Sequence, residues 1–310
     1  MNAINPRVSV LLPVYQGERY LREAVDSILN QTFNDFEFII IDDASTDGSA
    51  EIIGSYGDPR IRFVRNDANL GLTATLNAGL ELARGEYVAR MDQDDVSLPE
   101  RLSRQVAFMD SRPELAASGT WAKEIDEGGN VTGERRMTVG EQMEYGYWWP
   151  CPIIHPSAFI RRSLLGGIRY EPDVGHAADY DLWLALKKNH ALDNLPEFLI
   201  LYRVHGGSTS IMHTDAQFRS VHQSLCRRTG LAASYEEFLE LTGVTRRLGR
   251  LRRALLRGRL ARATGKPLGR HANEELSLLG DWLRAVVRYR VVGARLTRNL
   301  GRAWRRLRPL

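Results

Sequence analysis

Cysteine is almost absent from the 310 residues. Only Cys151 and Cys226 occur, too few and too far apart for a disulfide framework or a zinc site. Their scarcity fits a reducing cytoplasm. Long apolar runs are missing as well: no stretch reaches the roughly eighteen uncharged apolar residues that a membrane-crossing helix needs. The opening residues, Met1-Asn2-Ala3-Ile4-Asn5-Pro6, lack the basic-then-apolar layout of a secretion signal. Acid is scarce at the other end. The last 67 residues, from Val244 to Leu310, hold 3 Asp+Glu against 19 Arg+Lys, a net of +16, while the remainder carries −12. The overall +4 conceals that break, which marks a boundary of domain or function.

Hydrophobic residues make up 43% of the chain, enough for a sizeable core in one large α/β domain, or in a catalytic domain of more than about 200 residues with an appendage. Apolar runs predict strands at residues 8–15, 36–43, 61–66 and 87–92. Helical spacing predicts helices at 18–30, 45–56, 73–83 and 98–110. Gly85 reads as the C-cap of the third helix. The alternation β-α-β-α-β-α-β predicts a mostly parallel sheet with helices on both faces. Beyond it, 116–125 and 198–204 read as strands, 181–188 as a helix and 145–156 as irregular. Ser97-Leu98-Pro99-Glu100 and Ser234-Tyr235-Glu236-Glu237 both have the form of a capping box, with Gly243 as a stop after the second.

The most informative run is Tyr87-Val88-Ala89-Arg90-Met91-Asp92-Gln93-Asp94-Asp95. An apolar strand ends in three crowded carboxylates, which repel one another unless a cation lies between them. Oxygen ligands suit Mg²⁺ or Mn²⁺, and ligands of open α/β sheets bind just outside the carboxyl ends of the strands. Asp42 and Asp43 end another strand on the same edge and can accept hydrogen bonds from a base or ribose. Pro13 and Tyr15 end the first strand there, with Tyr15 available to stack on a base. No Ser/His/Asp or Cys/His set stands out as a covalent nucleophile.

In order along the chain stand Val8-Ser9-Val10-Leu11-Leu12-Pro13-Val14-Tyr15, Asp42-Asp43-Ala44-Ser45-Thr46-Asp47, Asn69-Leu70-Gly71-Leu72, Ala89 to Asp95, and Tyr202-Arg203-Val204-His205-Gly206-Gly207-Ser208-Thr209-Ser210. Over roughly residues 7–212 this series resembles the family-2 inverting glycosyltransferases of GT-A fold, and bacterial cell-envelope enzymes in particular. The resemblance implies a nucleotide-sugar donor, usually UDP-linked, and a divalent metal, Mn²⁺ or Mg²⁺. It implies donor contacts at Pro13, Tyr15, Asp43, Gly71 and Asp92, with metal ligation by Asp94 and His205. In Ala177-Ala178-Asp179-Tyr180-Asp181-Leu182-Trp183 it implies that Asp179 is the catalytic base, with Asp181 next in line. The glutamate usual before the base is replaced here by Ala178. Trp148, Trp149 and His155 precede that segment and suggest a platform for the acceptor sugar.

The expected division is a GT-A catalytic domain over 1–215 (nucleotide-sugar binding in 1–95, acceptor and base in 96–215), then a helical basic extension over 216–310. In that extension Val244, Leu248, Leu251 and Leu255 recur at helical spacing among arginines, and Leu300, Ala303, Trp304 and Leu307 repeat the scheme. Basic amphipathic helices of this kind suit an anionic membrane surface. The expected partners are thus the donor, a glycan or lipid-linked glycan acceptor of envelope polysaccharide or lipopolysaccharide, and the inner face of the cytoplasmic membrane. A helical cap on the core, an oligomer contact and non-specific nucleic-acid binding are the rival readings of the extension. No nucleic-acid partner is expected, because no such motif is present. Two other readings stand beside this one. A nucleotidyltransferase would carry a glycine-rich basic loop where Pro13 to Glu18 stands. A catalytically impaired nucleotide-sugar or glycan-binding protein is suggested by Ala178.

Overall fold

Seven consecutive buried residues, Val8–Val14, form β1, the strand around which the sheet is built. The computed structural model of the protein describes residues 5–140, 143, 151–206, 214–230 and 232–241. Trp148, Trp149, Gly243 and the basic segment from Val244 onward lie outside the described residues.

After β1 come α1 (Glu18–Leu29), β2 (Phe36–Asp42), α2 (Ser49–Gly54), β3 (Ile61–Arg65), α3 (Leu72–Leu82), β4 (Tyr87–Arg90), β5 (Val96–Ser97), α4 (Arg101–Asp110), β6 (Leu115–Ile125), β7 (Val131–Arg135), β8 (Phe159–Arg161), α5 (Ala178–Lys187), β9 (Ala191–Arg203) and α6 (Thr214–Thr229). The strand order is β3-β2-β1-β4-β8-β6-β9-β5, with β7 paired to β6. The block β3-β2-β1-β4 is entirely parallel, as its alternation with helices predicts. Beyond β4 the sheet mixes directions: β8 runs antiparallel to both β4 and β6, and β6 pairs with β9 in parallel. β5, β7 and β8 are short and had no readable period. β9 begins earlier than its apolar run because Leu192, Asp193 and Asn194 pair along β6.

Alternate strand residues feed two cores. Val8, Val10, Leu12 and Val14 face Leu21, Val25 and Ile28 of α1 with Leu102 and Met109 of α4. Leu11, Ile39 and Ile41 face Leu76 and Leu80 of α3 with Leu182 and Trp183 of α5. Gly79 lets α3 reach β1, since a Cβ there would come within 2.2 Å of a Leu11 methyl. Gly85 is a close approach rather than the expected cap: a Cβ would meet the Ser9 amide nitrogen at 2.5 Å. The Ser97 capping box does not form. α4 starts at Arg101 without a side-chain cap, and Ser97 belongs to β5, where it accepts a bond from buried Arg101 at 2.9 Å.

The chain divides into compact units at Met1–Ala232 and Ala233–Leu310. α6 belongs to the first unit, past the boundary expected at 215. Asp181, fully buried on α5, accepts bonds from Arg227 at 2.8 Å and from the Arg228 Nε at 3.1 Å, both on α6. We expect Asp181→Asn to lower stability by about 1–3 kcal/mol, below the ~3–5 of a sealed pair because the two arginines stay part-exposed. Urea titration followed by circular dichroism measures it, and an unchanged midpoint would show the tie is idle. In the second unit, α7 (Tyr235–Leu241) opens on the predicted reciprocal box: Glu237 N donates to Ser234 Oγ at 3.1 Å, and Ser234 N donates to Glu237 Oε2 at 3.0 Å.

Candidate active site

The carboxyl ends of β1, β2 and β4 lie side by side, so the acidic tails read from the sequence converge on one edge. Much of the second motif is spent on building that edge. Asp42 is buried, accepts the Ser45 amide at 3.1 Å and pairs with Arg65 at 3.1 Å. Ser45 and Ser49 accept the Gln16 and Gly17 amides at 3.0 and 2.9 Å. Asp47 accepts the Glu18 amide at 3.0 Å, and Glu18 accepts that of Gly48 at 2.6 Å. The turns after β1 and β2 are thereby laced together. Gln16 and Ala44 both adopt positive φ, 51° and 60°, which non-glycine residues seldom do.

Asp43 is also buried. Its Oδ1 accepts bonds from Asn66 Nδ2 at 2.8 Å and the Leu70 amide at 2.9 Å, and its Oδ2 accepts the Gly71 amide at 2.8 Å. Gly71 has φ 86° as it opens α3, a conformation a side chain would strain. Asp43 thus anchors the Asn69–Leu72 motif beside the mouth, while Pro13 is buried in β1 and Tyr15 is 47% exposed at its tip. Gln93, between the two motif aspartates, clamps that tip: it accepts the Tyr15 amide at 2.8 Å and donates to the Tyr15 carbonyl at 2.9 Å.

One oxygen each of Asp92, Asp94 and Asp95 lie within 4.8 Å of one another. Burial pushes the Asp92 carboxyl above its usual range; Arg90 opposes this and the Asp94 charge adds to it. Burial, then the charges of Asp92 and Asp94, push Asp95 well up. Asp95 Oδ1 accepts the Arg203 amide at 2.8 Å, whereas its buried Oδ2 has no hydrogen-bond partner among the described residues. An orphaned oxygen and crowded hard donors fit a divalent cation of the Mg²⁺ or Mn²⁺ kind. His205 Nε2 lies 2.9 Å from Asp94 Oδ2, at the same cluster although it comes from the far end of β9.

Arg90 pairs with Asp92 and is only 2% exposed. Arg203, equally buried, donates to the Asp94 carbonyl at 2.9 Å and lies over the Tyr20 ring at 4.4 Å. Neither stood out from the sequence. The signal for Arg90 was a lone cation inside an apolar strand, which burial tolerates only with a partner.

Asp179 sits in the first turn of α5. Its Oδ1 accepts the Tyr180 amide at 2.7 Å, and its Oδ2 faces the Cys151 thiol at 3.6 Å. Burial raises its carboxyl above the usual range, against the pull of the Tyr180 amide and Arg90. The Asp179 charge is felt at Asp92 and at Tyr170, so the candidate base lies within electrostatic reach of the acidic cluster. His155 lies 2.9 Å from the Tyr170 hydroxyl and edge-on to Trp183. Burial and Arg90 hold it well below its usual range, so it offers a neutral ring.

The family model described as Glycosyl transferase family 2 matches residues 9–168. The uncharacterized glycosyltransferase MJ1057 of Methanocaldococcus jannaschii is 35% identical over 64% of this chain and 71% of its own. The O-antigen biosynthesis glycosyltransferase WbnJ of Escherichia coli is 31% identical over 72% of this chain and 90% of its own. Among solved structures, the mannosyltransferase PcManGT from Pyrobaculum calidifontis, in complex with GDP-Man and Mn²⁺, matches with TM-score 0.59 at 18% identity. That match covers 92% of this chain and 81% of its own and speaks for the fold. The ordered motifs, the matched family model and these relatives agree: the chain is a glycosyltransferase of family 2, with the GT-A fold.

Proposed function

We propose that the protein is a metal-dependent, inverting hexosyltransferase that moves a sugar from a nucleotide-sugar, UDP-linked by first choice, to a hydroxyl of an envelope glycan or glycolipid. The observation that carries this reading is Asp179, with one oxygen on the Tyr180 amide and the other facing the Cys151 thiol, within electrostatic reach of the acidic cluster. The acceptor hydroxyl gives its proton to Asp179 Oδ2 as its oxygen bonds to the anomeric carbon. The bond from that carbon to the diphosphate breaks, and the electron pair leaves with the nucleotide. Attack from the face opposite the leaving group inverts the configuration. Asp94 and Asp95 would hold the cation with His205 at its rim, and the charge it supplies when bound neutralises the diphosphate. Asp92, gripped by Arg90, is left to orient towards the ribose. Pro13, Tyr15 and the Asn69–Leu72 loop anchored by Asp43 suit the base, and His155 suits the acceptor. PcManGT is described with GDP-Man and Mn²⁺ and WbnJ as an O-antigen enzyme; both support the reading at the level of donor class and acceptor setting.

A thermal-shift screen of UDP- and GDP-sugars with Mn²⁺ tests it. A true donor held at 100 times its Kd stabilises the fold by about 2.7 kcal/mol. No shift with any nucleotide-sugar would overturn the donor assignment, and a shift with GDP-mannose alone would overturn the choice of UDP.

The reading extends to the C-terminal segment, assigned to the inner membrane face by its +16 charge and leucine–arginine spacing. No helix among the described residues is long and apolar enough to cross a membrane. We expect removal of Val244 to Leu310 to release the protein from phosphatidylglycerol vesicles while nucleotide binding persists. Salt should weaken the full-length interaction, because exposed charges are screened over ~8 Å at physiological ionic strength. Equal pelleting of both forms at low salt would refute this, and insolubility of the truncated chain would favour a structural cap.

A further inference from the structure

The base has an unusual neighbour. Ala178 precedes Asp179, so the chain offers no carboxylate there, and the side chain facing Asp179 Oδ2 is the Cys151 thiol at 3.6 Å. The thiol carries one proton and meets two acceptors, the Ile153 carbonyl at 3.4 Å and the carboxylate. An ionised carboxylate is the stronger acceptor. Trp183 lies one helical turn beyond Asp179. Its buried indole Nε1 has no hydrogen-bond partner among the described residues.

We propose that Cys151 is a positioning residue, which donates its thiol proton to Asp179 Oδ2 and thereby holds the base ionised and aimed at the acceptor. The role in transfer rests on Asp179 being the base; the contact itself does not. Burial and the Asp179 charge push the thiol well above its usual range, so Cys151 stays protonated and cannot compete as a base or nucleophile. The other groups facing Asp179 are Arg90, which favours its ionised form, and Asp92 and Tyr170, whose protons its charge retains. Tyr180 contributes its backbone amide on the same helix.

Two measurements on the full chain decide the matter. The first needs no substrate: iodoacetamide labelling at about pH 8 is followed by peptide mass, with Cys226 as internal reference. In Asp179→Asn the thiol loses the charge that restrains it, and Cys151 should label severalfold faster, because only the thiolate reacts. Cys226 should label as before. Equal Cys151 rates in the two proteins overturn the contact.

The second uses the donor picked by thermal shift and follows nucleotide release against pH. Cys151→Ala removes a donor that favours the ionised base, so the acid limb of kcat/KM should move to higher pH. Cys151→Ser keeps an O–H in place and should restore the wild-type limb, with donor affinity equal in all three. An alanine profile that coincides with wild type, or a serine variant that fails to restore it, overturns the positioning role. If no nucleotide-sugar turns over in the wild type, the glycosyl-transfer reading falls, and the labelling comparison still decides the contact.

Discussion

Asp94→Ala should abolish metal-dependent nucleotide binding and leave the fold in place. Asp94 contributes one of the three crowded carboxylates and the oxygen 2.9 Å from His205, so its loss removes a main ligand of the proposed cation site. Metal affinity falls by more than ~100-fold, the upper range for losing even an outer partner of a ligand. The backbone at this position does not depend on the side chain, because Arg203 holds the Asp94 carbonyl and its own amide binds Asp95. Removing one of three crowded negative charges also relieves Asp92 and Asp95. Calorimetric titration of UDP with and without Mn²⁺ measures the effect, and a thermal melt checks the fold. Metal-dependent affinity equal to wild type would move the cation elsewhere.

Asp179→Asn should bind donor as wild type and lose transfer by ~10²–10⁴-fold, the usual contribution of a positioned general base. The amide is nearly isosteric and can still accept the Tyr180 N–H, so α5 keeps its first turn. It cannot take a proton. The raised pKa of the wild-type carboxyl also has a direction in pH. Transfer needs the ionised form, so the rate falls as pH drops through that pKa, at a higher pH than an ordinary aspartate would set. The asparagine variant should lose this acid limb along with its activity. Single-turnover transfer with a defined acceptor separates the two steps, and full activity in the variant would place the base elsewhere. Asp181 is not the substitute that its sequence position suggested: it is fully buried against Arg227 and Arg228 and cannot meet an acceptor.

The parallel half of the sheet was legible because its signals are local. Apolar runs of strand length alternate with amphipathic helices, and the right-handed crossover rule then leaves few arrangements. The acidic ends of β2 and β4 were legible for the same reason: parallel neighbours end on a common edge. The second half was less so. β5 and β8 are two and three residues long and exist only through pairing with β9, β4 and β6. The capping box at Ser97 failed although the one at Ser234 formed, since Ser97 was drawn into a strand and into the buried shell of Arg101.

The sequence by itself determined the fold class, the family and the identity of the acidic cluster, all of which depend on residue type and on spacing along the chain. Only the tertiary structure decided which carboxylates remain free to act. Asp43 is held by Asn66, Leu70 and Gly71, Asp92 is paired with Arg90 and Asp181 is tied to α6, whereas Asp95 keeps an oxygen with no partner among the described residues and Asp179 turns one oxygen to Cys151. A carboxylate's chemistry is set by burial and by the donors packed against it. Those donors come from positions as distant as Arg203 and Arg227, and only folding brings them there.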